Sequence, residues 1–206
     1  VMEKREDVWG YAVATPEEAE ELYTNGIKKP ILILGYTPPE YAANMIFLDI
    51  TQEVHSLAYA QELNEALAGT NYILNVHLKL DTGMTRIGFF AYDNDRTLDE
   101  LKQAAALPHL HIEGVFMHFC VADSRAEEDV SFTKLQYKRF MDMLSAMEGV
   151  CCDPQSVEIN MVFFTIDRPQ SLRDNLPQAM LQKGIKICPE DQGHFRFVTN
   201  NDISRE

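Results

Sequence analysis

In the segment Leu74-Asn75-Val76-His77-Leu78-Lys79-Leu80-Asp81, polar and apolar residues alternate, and the period of two of a β-strand puts Asn75, His77, Lys79 and Asp81 on one face. A parallel strand between helices ordinarily reads as an unbroken apolar run, and unpaired ionisable groups are costly inside a core. A polar inner face therefore calls for partners or a ligand. The competing reading is an edge or half-solvated strand whose polar groups meet water. Asp81-Thr82-Gly83 then turns the chain at the C-terminal end of the strand, which in a barrel is the mouth where ligands bind. That turn delivers Arg86 to the same end, as a candidate partner for an anion or a phenol.

The elements that must position these residues follow a βα rhythm. Tyr11–Ala14 reads as the first strand. Thr15 is the N-cap of a helix with Pro16 at its first position, Glu17 and Glu18 against the dipole, and Gly26 as its stop. Ile31–Leu34 is the next strand, a short helix starts at Pro39, and Ile46–Ile50 is a third strand. Thr51 is expected to cap a longer helix bearing Val54, Leu57, Ala58 and Leu63. The fourth strand is Tyr72–Leu80. Thr97 and Glu100 form a capping box for a helix that Pro108 ends, Ile112–Phe119 is the fifth strand, and a helix carrying Phe132, Leu135, Phe140, Met143, Leu144 and Met147 closes at Gly149.

This pattern predicts an α/β fold: either a partial (β/α)8 TIM-type barrel of about five βα units or an open doubly wound sheet, which periodicity alone does not separate. No GxGxxG follows the first strand, which weakens a dinucleotide-binding reading. After Gly149 the stretch Val150-Cys151-Cys152-Asp153-Pro154 breaks the rhythm. A strand (Val157–Ile166), a helix (Pro169–Lys183) and two strands (Ile185–Cys188 and Phe195–Thr199) are expected to form a small α+β lobe. The predicted domains are 1–149 and 150–206.

With 206 residues, 46% of them hydrophobic, the chain can bury a substantial core. A net charge of −14 without any Lys/Arg cluster argues against nucleic-acid and anionic-membrane partners. No apolar run has the length of a membrane helix, and the start Val1-Met2-Glu3-Lys4-Arg5-Glu6-Asp7 has no apolar core of a secretion signal, so a cytoplasmic protein is expected. Cys120, Cys151, Cys152 and Cys188 show no CxxC pair and no metal-ligand spacing; they read as reduced thiols, and no metal site is predicted. The opening on Val1 and the end at Glu206 suggest a piece of something longer.

Lys79-Leu80-Asp81-Thr82-Gly83-Met84-Thr85-Arg86-Ile87-Gly88-Phe89 resembles the K-x-D-T-G-M-x-R-x-G-F signature of alanine racemases. Tyr11-Ala12-Val13-Ala14-Thr15, Pro30-Ile31-Leu32-Ile33-Leu34-Gly35-Tyr36-Thr37-Pro38 and Glu113-Gly114-Val115-Phe116-Met117-His118-Phe119 follow in that family's order, so the likeness covers most of residues 8 to 149. The resemblance to alanine and serine racemases implies a pyridoxal 5′-phosphate barrel that acts on a small amino acid, alanine or serine, and assembles as a homo-oligomer. It also implies that Lys79 and Arg86 are catalytic-site residues. The family's counterpart of Lys79 is often carbamylated and orients the arginine, which reaches the substrate carboxylate and a catalytic tyrosine. The resemblance places His118 against the cofactor ring.

Racemisation on this cofactor needs a Schiff-base lysine and two acid–base groups on opposite faces of the α-carbon. In the family that lysine lies in a V-K-A-x-A-Y-G-H-G-like motif before the point matching Val1, and this sequence holds no such motif. The matching tyrosine and the phosphate-binding residues of the later strands are expected to be missing as well, with the chain holding family strands two to six of eight. Covalent cofactor attachment and activity of this chain alone are not expected. A second resemblance covers residues 155 to 206. There Asn160-Met161-Val162-Phe163-Phe164 and Phe195-Arg196-Phe197-Val198-Thr199-Asn200 are similar to the small domain of low-specificity threonine aldolases, which implies that Arg196 grips a substrate carboxylate. The functional readings are thus a racemase-derived chain, an aldolase-type lyase, or a non-catalytic composite or binding protein.

Overall fold

The computed structural model describes residues 8, 10–92, 94–147, 150–152, 161–166 and 195–198. Five strands, β1 (Tyr11–Val13), β2 (Ile31–Ile33), β3 (Ile50–Val54), β4 (Leu74–Asp81) and β6 (Leu110–Met117), lie side by side in that order, each parallel to its neighbour. The two-residue β5 (Phe89–Phe90) also pairs with β4, at its C-terminal end. Between the strands run α1 (Pro16–Thr24), α2 (Ala42–Phe47), α3 (Leu57–Ala66) and α4 (Asn94–Ala105), and α5 (Glu127–Ala146) follows β6. Helices alternating with parallel strands make a partial (β/α)8 barrel-type fold. β4 has β3 on one side and β6 on the other, so its polar face belongs to a central strand and the edge-strand reading fails.

Strand register sorts the side chains. Ile31, Ile33, Ile50, Gln52, Val54, Val76 and Leu78 share one face, and all are buried. Buried Ala19, Met45, Tyr59, Ala60, Leu63, Leu101 and Ala104 supply the apolar residues of the intervening helices. As expected, Thr15 caps α1 by accepting from the Glu18 N–H at 3.3 Å, and Pro16 takes its first position. Glu18 also reaches back, accepting from the N–H of Ala14, the residue before the cap, at 2.7 Å.

Three sequence expectations are corrected. Ile46 lies in α2, and the strand runs Ile50–Val54. Asp49, with φ of 54°, ends the helix in a left-handed turn, and Phe47 is 82% exposed. Thr51 is therefore a strand residue, and Ser56 caps α3 by accepting from the Tyr59 N–H. Thr97 sits inside α4, donating to the Phe90 carbonyl at 2.6 Å, while Glu100 pairs with Arg96 one turn back.

The chain divides into two compact units, Val1–Phe140 and Met141–Glu206, with α5 running from one into the other. In the second unit, β7 (Val150–Cys152), β8 (Met161–Ile166) and β9 (Phe195–Val198) form an antiparallel sheet with β8 in the centre. Val150–Cys152 is thus a strand rather than an interruption. The expected helix Pro169–Lys183 and strand Ile185–Cys188 lie outside the described residues. Among the described residues no helix is long and apolar enough to cross a membrane.

Candidate active site at the strand ends

Lys79 is 2% exposed on the polar face of β4, level with Phe116 of β6, and its ammonium lies 5.5 Å from the centre of that ring. The Nζ has no hydrogen-bond partner among the described residues. Burial is the main cause that lowers the Lys79 pKa. The Arg86 guanidinium lowers it further, and Glu53 and Asp81 oppose the shift. Arg86 itself is exposed, in the turn that follows β4. His118, just past the end of β6, is half-buried with Nδ1 buried and unpartnered; burial, then Lys79, then Arg86 hold its pKa down. The three residues singled out in the sequence therefore feel one another's charge at the C-terminal ends of two adjacent strands.

The turn that carries Arg86 is built by its own sequence. The Asp81 carboxylate accepts from the Gly83 N–H at 2.9 Å and the Thr85 N–H at 3.0 Å, so this acid serves the backbone. Thr85 and Gly88 have φ of 56° and 135°, and a Cβ on Gly88 would stand 2.6 Å from the Asp81 nitrogen. Lower in the same face, burial takes the His77 pKa down to about 4. Its ring lies where Gly114 leaves room, since a Cβ there would come within 2.9 Å.

The sequence reading missed a second polar group. Glu53, wholly buried, sits beside His77 in register and holds His55 Nδ1 at 2.8 Å through Oε1, while its Oε2 is unpartnered. His55 stacks on Tyr59 at 4.8 Å between ring centres, and Tyr36 packs against both. Tyr59 is anchored through its hydroxyl, which donates to the Thr37 carbonyl at 2.6 Å, and burial pushes its pKa upward. Glu53 itself was the available signal, hidden because Thr51 onward reads as the capped start of a helix. Arg196 lies in β9 opposite Phe163, and its side chain is outside the described residues. No group of three or more His, Cys, Asp or Glu among the described residues forms a metal cluster. Two clefts of about 120 and 110 Å³ flank α1 and β2, but neither is lined by Lys79, Arg86 or His118; the chemistry, not the hollows, marks the site.

With that geometry in hand, the comparisons decide the lineage: the family model for the alanine racemase N-terminal domain matches residues 1–161. The chain belongs to that family. Alanine racemase 1 of Caldanaerobacter subterraneus subsp. tengcongensis is 40% identical over 145 residues, covering 70% of this chain and 36% of the relative. The alanine racemase of Clostridium difficile 630 in complex with cycloserine superposes with a TM-score of 0.60 at 40% identity, over 68% of this chain and 38% of that one. A histidine racemase from Leuconostoc mesenteroides subsp. sake follows at 0.56 and 30%, over 62% and 34%. The chain thus spans little more than a third of the length of these racemases. The family match extends past residue 150, through β7 to the first residue of β8.

Proposed function

We propose that the chain is the barrel portion of a pyridoxal-phosphate-dependent amino-acid racemase acting on alanine or serine, and that Lys79, Arg86 and His118 form part of its cofactor and substrate site. The observation that carries this reading is a pair of buried, unpartnered nitrogens, Lys79 Nζ and His118 Nδ1, beside the Arg86 guanidinium at the strand ends. Two buried nitrogens whose charged forms are disfavoured by burial and by the exposed Arg86 guanidinium would gain from an anionic guest, which favours their protonation. The residues therefore suit a phosphorylated, carboxylate-binding site. When bound, pyridoxal phosphate supplies an electron sink for the α-carbon of an amino acid.

In this reading the residues divide the work. The imidazole of His118 would bound the cofactor, Arg86 would offer its guanidinium to the substrate carboxylate, and Lys79, once carbamylated, would be an anion that pairs with Arg86 and orients it. The sequence holds no family-type Schiff-base lysine motif, so binding by this chain is noncovalent and racemisation by it alone is below detection. Titration with pyridoxal phosphate, borohydride reduction and peptide mapping test this directly. The expected result is saturable binding without a reduced lysyl adduct. A single mapped adduct, or interconversion of D- and L-alanine above a buffer control, would contradict the noncovalent reading, and no saturable binding would overturn the site. A second reading, an aldolase-type lyase, rests on the resemblance of the Arg196 segment alone. Glycine release from threonine would favour it.

A further inference from the structure

Gln136 on α5 is wholly buried, and each polar atom of its amide is used. Its Oε1 accepts from the Cys120 N–H at 3.1 Å and lies 3.2 Å from the Cys120 thiol. Its Nε2 donates to Thr82 Oγ1 at 3.1 Å and to the His118 carbonyl at 3.2 Å. The amide can sit only one way round, because a flip would set an NH2 against the Cys120 N–H and an oxygen against the His118 carbonyl. One turn along the helix, Arg139 Nη1 donates to the Thr82 carbonyl at 2.8 Å. Thr82 opens the turn that carries Arg86, and residues 118–120 are the loop that follows β6.

We infer that Gln136 is a positioning residue for the proposed site, locking the turn after β4 to the loop after β6 and thereby fixing Arg86 against His118. The inference rests on the site assignment above and adds the residue that couples its two halves. A longer, direct link runs beside it, from the Cys120 thiol to the Gly83 carbonyl at 3.8 Å. β4 and β6 are hydrogen-bonded only as far as Leu80 and Met117, so beyond those residues the backbone ladder no longer holds the two chains in register. A buried carboxamide that accepts from one loop and donates to both takes over where the ladder stops. Arg86 is exposed, so its place relative to His118 depends on the turn beneath it.

The test reads His118 by NMR in the full chain, with no cofactor added. His118 is held down by burial, Lys79 and Arg86. Loosening either segment exposes the ring and moves the cations away, so its pKa rises. Gln136→Met, which keeps the volume and removes every hydrogen bond, is expected to shift the His118 titration upward. Thr82→Val, which removes only the β4-side contact, is expected to give a smaller shift in the same direction and covers the case in which Gln136→Met does not fold. A His118 titration unchanged in folded Gln136→Met, or unchanged in Thr82→Val when Gln136→Met does not fold, would overturn the inference, because a merely stabilising glutamine changes the melting temperature and leaves the imidazole alone. Pyridoxal phosphate binding by the unaltered chain is measured separately. Its absence would count against the site assignment, whereas the His118 shift alone judges Gln136.

Discussion

Two neighbouring regions of the same strand ends treat polar groups in opposite ways. In the turn after β4 and at Gln136 on α5, the buried polar groups find partners: Asp81 takes two backbone N–H groups, and Gln136 uses both ends of its amide. On the inner face beside them, Lys79 Nζ, Glu53 Oε2 and His118 Nδ1 are buried and unbonded. Leaving a buried polar group unpaired costs about 1–3 kcal/mol, so the first region stabilises the fold while the second draws on that stability. Thr37 Oγ1, Gln52 Oε1 and Thr133 Oγ1 are also buried without a partner among the described residues, so it is the ionisable groups among the unpartnered atoms that mark the candidate site.

The largest expected effect is on the scaffold side. Gly88→Ala forces a Cβ into a left-handed position 2.6 Å from the Asp81 nitrogen, and strain plus overlap should cost about 2–5 kcal/mol in urea unfolding. A loss under about 1 kcal/mol would mean that the turn is not rigid.

His77 gives the next largest effect, as a dependence on pH. Its folded pKa of about 4 lies below its ordinary 6.5, so between those values the unfolded chain binds the extra proton and stability falls as pH drops. The loss reaches about 3 kcal/mol by pH 4, and His77→Gln should flatten that part of the profile. An unchanged slope in the variant would assign the acid sensitivity elsewhere.

A smaller effect, of opposite sign, belongs to the site. Lys79→Met removes a buried cation whose lowered pKa marks its charged form as disfavoured in the fold. It should raise stability at neutral pH by about 1 kcal/mol while weakening cofactor binding. Destabilisation instead would mean that Glu53 and Asp81 hold Lys79 more firmly than burial and Arg86 oppose it.

Much of the candidate site is legible because β4 states its own geometry: period two from Leu74 to Leu80 assigns Lys79 and His77 to one face, and the turn residues after it locate Arg86. The β3 region is not. Met45-Ile46-Phe47 suits a helix end as well as a strand, and Thr51-Gln52-Glu53 reads as polar helix although all three are buried in β3. Their partners explain the failure. Gln52 donates to the Gly35 carbonyl and Thr51 to Glu113, contacts 17 and 62 residues apart that no local pattern announces. Gln136 was hidden in the same way, reading as an ordinary polar helix residue until the loops 16 and 54 residues upstream closed on it.

The measurement closest to the central claim is an NMR titration of the full chain with pyridoxal phosphate, following the His118 ring and the Lys79 side chain. Saturable shifts at both in the unaltered chain, with the His118 shift lost in Lys79→Met, are predicted for an anion-accepting site built from unpartnered groups. Shifts that do not saturate, or a His118 shift that persists unchanged in Lys79→Met, would contradict it.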